Sequence, residues 1–414
     1  MKVLVMAWGF PNARRPVHGV FTLERTKALA RLCEIRVVAP VKWFPFGHLL
    51  ATTTRSRVAR RETQDGLEVF HPRYFTFPFV LRSCDGFLYF LSVFWIVRKL
   101  RRDFPFDLID AHFAYPDGFA AVLLGKFFRT PVVITLHGTI QVHSRYRVRR
   151  ALVLYCLRRA NNILAVSAWL KAQAVSLGIP PQKIQVARLG VDIERFRPRP
   201  MTEARDELGL PADRRILVSV AHLVELKGFH RVIDLLPSLL REFPDLLYVI
   251  VGGPTYGASY QRRLRKLIAS RGLSDHVLLA GTQMHEHIPL WLNASDVFCL
   301  ATRTESFGNV FLEAMACGKP VVATRAAAIP EVVDSDDVGI LVERDDTNGM
   351  ITALAEALRR DWDSALIRRH AEQQTWDHVA EHVLGFWVDA LRSFESSARH
   401  SVDLSGRSSH ESAD

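Results

Sequence analysis

Cysteine is scarce in this chain. Only Cys33, Cys84, Cys156, Cys299 and Cys317 occur among 414 residues, and no two of them stand in a Cys-x-x-Cys pair. That spacing argues against a zinc site or a disulfide framework and fits a reducing compartment. Long apolar runs are also missing. The most apolar stretch, Gly86–Val97, has twelve residues, too few to span a bilayer. The opening string MKVLVMAWGFP breaks at Gly9 and Pro11, lacks a cleavage region, and reads as a first strand rather than a leader. No G-x-G-x-x-G follows that strand, which argues against a dinucleotide dehydrogenase. Acidic residues are sparse at one end of the chain. Residues 1–200 carry 32 Lys/Arg against 12 Asp/Glu, a balance of +20, while the remainder stands at −9. A first half so charged is expected to face something anionic: a membrane surface, a nucleic acid or a phosphorylated acceptor.

What is present points to two α/β domains. The length allows two ordinary cores, and 49% hydrophobic with 23% charged residues describes a globular protein. Apolar strings at Lys2–Ala7, Ile35–Ala39, Leu108–Ala111, Val132–Leu136, Ile163–Val166 and Ile184–Ala187 read as strands alternating with helices. A second series runs Ile216–Val220, Leu247–Val251, Val277–Ala280, Val297–Leu300, Val321–Thr324 and Gly339–Val342. Such alternation predicts mostly parallel, doubly wound sheets. The expected division is a first domain over 1–190, a linker over 191–213, a second domain over 214–375, and a disordered Ser/His-rich tail over 396–414. Gly86–Val97 reads either as a half-buried helix or as a membrane-leaning surface. Arg145–Arg159, with six arginines around an apolar centre, reads either as a solvated helix or as one lying on anionic lipid.

The most informative stretch is Thr302–Val322. Glu305, Ser306, Phe307 and Gly308 read as a loop that delivers a short helix from Asn309 to Ala316, stopped by Gly318. A helix start beyond a strand end presents free N–H groups and the positive end of a dipole, a natural phosphate seat. Glu305 and Glu313, eight residues apart, can lean toward one ligand; beside a phosphate, carboxylates more readily grip hydroxyls. The string Glu305, Ser306, Phe307, Gly308, then Glu313, Ala314, Met315, Ala316, then Gly318, Pro320, Val321, Val322, Ala323, Thr324 resembles the Glu-x7-Glu signature of retaining group-1 (family 4) glycosyltransferases of the GT-B fold. Ser306 stands where the family usually has Gly.

The resemblance implies two Rossmann-like domains facing a cleft, with the helix over 376–395 returning to the first domain. It also implies a nucleotide-sugar donor, which is a substrate, so no cofactor is expected. Residues implied at the donor are Gly19, His222, Lys227, Met284, Glu305, Ser306, Phe307, Gly308, Asn309 and Glu313, with Glu305, His137 and Lys227 as candidate catalytic groups. Lys227 matches the family's diphosphate lysine, whereas Ala221 and His222 stand where it has Gly and Arg. His222 therefore either becomes protonated against the phosphates or leaves Lys227 to act largely alone. His112 and His137 follow strands, where ligands bind, and His137 with Gly138 matches the family's His-Gly position. Met284 lies in a turn that the family places near the base. Ala327 and Ala328 replace its usual two glycines. No catalytic metal is expected, because the reading finds no Asp-x-Asp string. The implied activity is transfer of a sugar to a carbohydrate or lipid-linked acceptor in polysaccharide or glycolipid biosynthesis. The basic first half, concentrated in Arg98–Arg102 and Arg145–Arg159, adds the expectation of a peripheral protein on the cytoplasmic face of an anionic membrane. A non-catalytic partner subunit and a nucleotide-sugar epimerase are the alternatives. A nucleic-acid partner is not expected, because the arginines are not interleaved with a binding motif. The sugar, the base and the acceptor stay open.

Overall fold

A computed structural model describes residues 1–44, 58–77, 81–254 and 257–408, with side chains to residue 397. Its contacts divide the chain into two units: Met1–Ala187 with Val379–Asp414, and Arg188–His378. Each is built on one twisted sheet.

In the first unit, β1 (Lys2–Met6), β2 (Glu34–Val38), β5 (Leu67–Phe70), β7 (Leu108–His112), β8 (Val132–Leu136), β9 (Asn162–Ala165) and β10 (Ile184–Val186) run parallel, and β4 (Arg61–Gln64) closes one edge antiparallel to β5. The order is β10-β9-β8-β7-β1-β2-β5-β4, and a separate parallel pair joins β3 (Val41–Trp43) to β6 (Arg73–Phe75). Every residue of β7 and β8 is buried, as continuous apolar strands covered on both faces should be. Strands β3 to β6 are additions to the sequence reading. The β4–β5 hairpin had a readable signal, for Asp65 and Gly66 both take positive φ, the geometry Asp-Gly favours in a two-residue turn.

The second unit is uniformly parallel. Its strands are β11 (Ile216–Val220), β12 (Leu247–Val251), β13 (Val277–Gly281), β14 (Val297–Leu300), β15 (Val321–Thr324) and β16 (Gly339–Val342), in the order β13-β12-β11-β14-β15-β16. Both sheets thus reverse their winding once, between β1 and β7 in the first and between β11 and β14 in the second. Loops leaving the carboxyl ends of strands at such a reversal part to opposite faces and open a crevice for a ligand. The expected class, α/β with two Rossmann-like doubly wound domains, is what the structure shows.

Three boundaries differ from the sequence reading. The stretch 191–213 is no free linker: it packs into the second unit. Phe196 and the Arg205 side chain are buried there, and Arg205 donates to Ala294 O at 2.9 Å and pairs with Asp296 at 2.9 Å. A Pro- and Arg-rich composition concealed that anchoring. The unit boundary falls at Ala187/Arg188 rather than after residue 190, and the returning segment begins at Val379 rather than 376. The last helix, Trp376–Ser408, buries Val379, Val383, Phe386 and Trp387 and runs past residue 396, where disorder was expected to begin; residues 409–414 of that tail lie outside the described residues.

Candidate functional site

In the second unit, the loops after β11 and β14 are stitched to each other. Leu226 O accepts from Arg303 N at 2.9 Å and from the Thr302 hydroxyl at 3.1 Å. Gly228 sits between them with φ +77, and a Cβ there would lie 1.9 Å from Ala301 O, so only glycine fits. This junction aims Lys227 from one loop at Glu305 from the other, and the two form an ion pair that keeps partial access to solvent. Phe307 is buried and Gly308, left-handed at φ +92, caps the helix Asn309–Ala316. Asn309 is buried and its amide donates to Gly190 O at 2.6 Å, which fixes the helix start. Ser306 is half-buried between Glu305 and Phe307.

Glu313 has a different set of neighbours. It is buried inside that helix and accepts from His285 Nε2 at 2.7 Å; His285 Nδ1 in turn accepts from Arg195 Nη1 at 3.0 Å. Arg195, His285 and Glu313 form a relay that orients the acid. The two glutamates of the motif are therefore held separately, Glu305 by a lysine and Glu313 by a histidine. His285 and Arg195 were missed by the sequence reading; His285 follows Met284 directly, but nothing in the spacing links it to Arg195. Met284 itself is exposed in the loop after β13 at the sheet's edge.

His222 keeps solvent access in the loop after β11. Shielding by surrounding protein and then the nearby Lys227 cation hold its pKa below that of a free histidine. Both causes favour the neutral imidazole, which can donate one hydrogen bond and carries no charge. Ala327, at a position where glycine was expected, takes φ +52. Two Asp-x-Asp strings do occur, contrary to the sequence reading. Asp334–Asp336 lies in the loop entering β16, at the amino end of the strand, where Asp334 faces His370 at 3.5 Å, and Asp363 of Asp361–Asp363 caps the helix Ser364–Glu372. Among the described residues no group of three or more His, Cys, Asp or Glu is arranged to hold a metal.

The reversal in the first unit is built differently. Gly19, φ +76, begins the helix Val20–Ala30, and a Cβ there would stand 1.8 Å from Gly9 O. That contact explains the glycine without a ligand. Around it lie Trp8, His18 and Phe113, with Trp8 5.1 Å from His18 and 5.9 Å from Phe113 between ring centroids. His137, at the end of β8, is 5.0 Å from Phe113 and bonds to His112. The two histidines singled out in the sequence are thus one cluster.

Two family models match the chain in succession: glycosyltransferase family 4 over residues 18–195 and glycosyl transferases group 1 over residues 200–374. A D-inositol 3-phosphate glycosyltransferase of Acidothermus cellulolyticus is 30% identical over 311 residues, 71% of this chain and 69% of that one. The chain belongs to the group 1 glycosyltransferases, family 4. WcaL of Escherichia coli, a glycosyltransferase whose name assigns it to colanic acid biosynthesis, is 32% identical over 295 residues, 68% of this chain and 69% of its own. Among solved structures, Anabaena HepE in complex with UDP-glucose aligns with a TM-score of 0.73 at 21% identity, covering 94% of this chain and all of that one. At that identity the likeness concerns the fold. In this glycosyltransferase the first-unit match ends at residue 195 and the second begins at residue 200, so the two models meet close to the division at Ala187/Arg188.

Proposed function

We propose that this glycosyltransferase moves a sugar from a nucleotide-sugar donor to an acceptor with retention of anomeric configuration and without a catalytic metal. The observation that carries the reading is the Lys227–Glu305 pair at the reversal between β11 and β14, beside the start of the helix Asn309–Ala316. Lys227 and that helix start stabilise the negative charge that grows on the departing diphosphate. Neutral His222 adds a hydrogen bond rather than a charge. Glu305 and Glu313 accept from sugar and ribose hydroxyls. The bond from the anomeric carbon to the diphosphate oxygen breaks as the acceptor oxygen bonds on the same face, and the acceptor proton passes to the departing phosphate. The UDP-glucose named for the HepE complex supports a nucleotide-sugar donor. A thermal-shift screen across UDP- and GDP-sugars identifies the donor, because a bound donor raises the melting point by mass action. Product NMR then reads the anomeric configuration. An inverted product overturns retention, and loss of turnover on chelation restored by Mg²⁺ or Mn²⁺ overturns metal independence. Product that forms without acceptor points to an epimerase; no turnover of any donor points to a partner subunit.

We further propose that the acceptor is a lipid-linked or polysaccharide chain met on the anionic inner face of a membrane. WcaL's assignment to a polysaccharide supports that class. No helix among the described residues is long and apolar enough to cross a bilayer. The helix Asp85–Asp103, however, buries Tyr89, Val93 and Val97 and exposes Phe87, Leu91 and Trp95 on its other face. Arg98, Lys99 and Arg102 are exposed beside that stripe, as are Arg145, Arg147, Arg150, Arg158 and Arg159 farther on. Arg101 does not join them: it is committed inward, donating to Thr130 at 2.9 Å and Phe106 O at 3.1 Å. An apolar stripe edged with cations suits an anionic interface, each cation contributing about 1 kcal/mol. Liposome sedimentation tests it. Binding should rise with anionic lipid, fall with salt, and weaken when Trp95→Ala is combined with Arg98→Gln and Arg102→Gln. Protein that stays in the supernatant with anionic vesicles at low salt sinks the membrane reading and favours a soluble phosphorylated acceptor.

A further inference from the structure

Arg25, Asp110, Thr135, His112 and His137 form one connected polar chain through the carboxyl end of the first sheet. Arg25 Nη2 donates to Asp110 Oδ2 at 3.1 Å, Arg25 Nη1 to the Thr135 hydroxyl at 3.1 Å, and that hydroxyl to Asp110 Oδ1 at 3.0 Å. Asp110 Oδ2 also lies 3.2 Å from His112 Nε2. His112 Nδ1 lies 2.9 Å from His137 Nε2, with the ring planes 12° apart and the centroids 5.0 Å apart. Two imidazoles joined edge to edge by one N–H···N bond have that geometry. Asp110, His112 and Arg25 are at most 1% exposed, so the links among them are shielded from bulk water.

Each link has only one direction. An ionised carboxylate has lone pairs and no proton, so Asp110 must receive a proton donor from His112 Nε2. That leaves His112 Nδ1 as a lone pair, which must in turn receive the N–H of His137 Nε2. The reverse arrangement would press two lone pairs together at the buried Asp110–His112 contact. We propose that Asp110 and His112 are positioning residues that lock His137 in the tautomer protonated on Nε2, so that its Nδ1 lone pair is what a ligand meets. His137 then accepts from a hydroxyl and repels acceptor-only groups such as carboxylate or phosphate oxygens. The inference deepens the proposed function, since it rests on His137 as the counterpart of the family's His-Gly position, and it names the chemistry selected there: a free hydroxyl.

The charge states agree. Burial works against the Asp110 charge, but Arg25, His112 and the Thr135 hydroxyl outweigh it and hold its pKa below the usual carboxylate range. Burial pushes both histidines down, His137 well below the ordinary value, with His112 and Arg25 adding to the effect and Asp110 opposing it. Phe113, which carries no charge, packs 5.0 Å from His137 between ring centroids.

The full chain labelled with ¹⁵N in its histidine rings supplies the test, with His137→Gln assigning the His137 signals by their loss. Near pH 7.5, His137 should be protonated on Nε2 and bare on Nδ1. His112→Leu should release it to a mixture of tautomers and lower kcat/KM by roughly three- to tenfold, the worth of one neutral hydrogen bond. His112→Gln should keep the tautomer and most of the rate, because its amide oxygen accepts from His137 while its NH₂ donates to Asp110. A wild-type His137 protonated on Nδ1, or an unchanged tautomer in His112→Leu, overturns the proposal. Should His112→Leu fail to fold, the wild-type spectrum decides alone. The ring nitrogens report with or without turnover, so a failed transferase reading and a failed relay are distinguishable.

Discussion

The two sheet reversals carry similar relays pointed in opposite senses. In the second unit the hydrogen bonds run from Arg195 through His285 to Glu313, and the carboxylate is the last member. In the first unit they run from His137 through His112 to Asp110, and the carboxylate is the buried end. As proposed, the second unit would offer charge to a ligand and the first only the direction of a hydrogen bond. The second also keeps its cation exchangeable: Lys227 is paired with Glu305 in a partly exposed contact that a diphosphate can compete for. Arg25, sealed on Asp110, has no such freedom. The proposed function gives the second unit a departing diphosphate, which needs compensating charge, and the charge it keeps exchangeable suits that proposal.

The contrast breaks first if Lys227 is dispensable. Lys227→Ala should lower kcat/KM by roughly 100- to 1000-fold, the usual cost of losing a group that stabilises transition-state charge. A loss below tenfold in steady-state kinetics would mean that His222 or the helix start already supplies what the lysine was credited with. The two glutamates come next. Glu305→Ala should act mainly on kcat and Glu313→Ala mainly on the donor KM, each by roughly ten- to a hundredfold for a lost hydrogen bond to a charged group. Because His285 holds Glu313, His285→Ala should reproduce a weakened Glu313→Ala. Near-wild-type kinetics for both glutamate variants would remove the site assignment.

Legibility followed the range of the interactions. The twelve strands that the sequence reading placed all occur, and so does the helix Asn309–Ala316, because burial on both faces leaves a run of apolar residues that can be read locally. Lys227 and Glu305 were read as site residues because both lie in dense local motifs. Their pairing was not legible, nor was that of Glu313 with His285 and Arg195, for partners 28 to 90 residues apart meet only through the sheet order. His112 and His137 were noticed singly for being at strand ends. That they form one chain with Asp110 follows from β7 lying beside β8, a fact no spacing announces. The stretch 191–213 was misread for a related reason: its composition is that of a linker, while its anchors, Phe196 and Arg205, find their partners far along the chain.

A pH titration sharpens the contrast from the side of stability. His112 and His137 have folded-state pKa values below the ordinary 6.5, so the folded protein binds fewer protons than the unfolded chain in the window beneath it. Stability that is full above pH 6.5 should therefore fall as the pH drops toward the folded values, with a slope of at most about 1.4 kcal/mol per pH unit for each histidine. In His137→Gln the slope of urea-unfolding free energy between pH 6.5 and 5 should flatten. An equal slope would show that His137 is not held neutral.

The smallest expected effect concerns the loop that supports Glu305. Ala328 N donates to Glu305 O at 3.2 Å, so the segment after β15 helps to hold the motif's first acid. Immediately before it, Ala327 sits at φ +52, the left-handed region in which a Cβ crowds the following carbonyl. The second unit thus maintains a strained residue against one of its proposed ligand groups, where glycine would relax. Ala327→Gly should remove steric strain worth about 1 to 2 kcal/mol, partly offset by roughly 0.5 to 1 kcal/mol from the greater freedom of glycine in the unfolded chain. The net expectation is a gain of up to about 1.5 kcal/mol, read as a higher urea midpoint with an unchanged slope. If that strain also pins the Glu305 loop, kcat should fall slightly as stability rises. A stability gain with no change in kcat would separate Ala327 from Glu305, and a stability loss would show that the left-handed turn is held by contacts which a bare glycine cannot make.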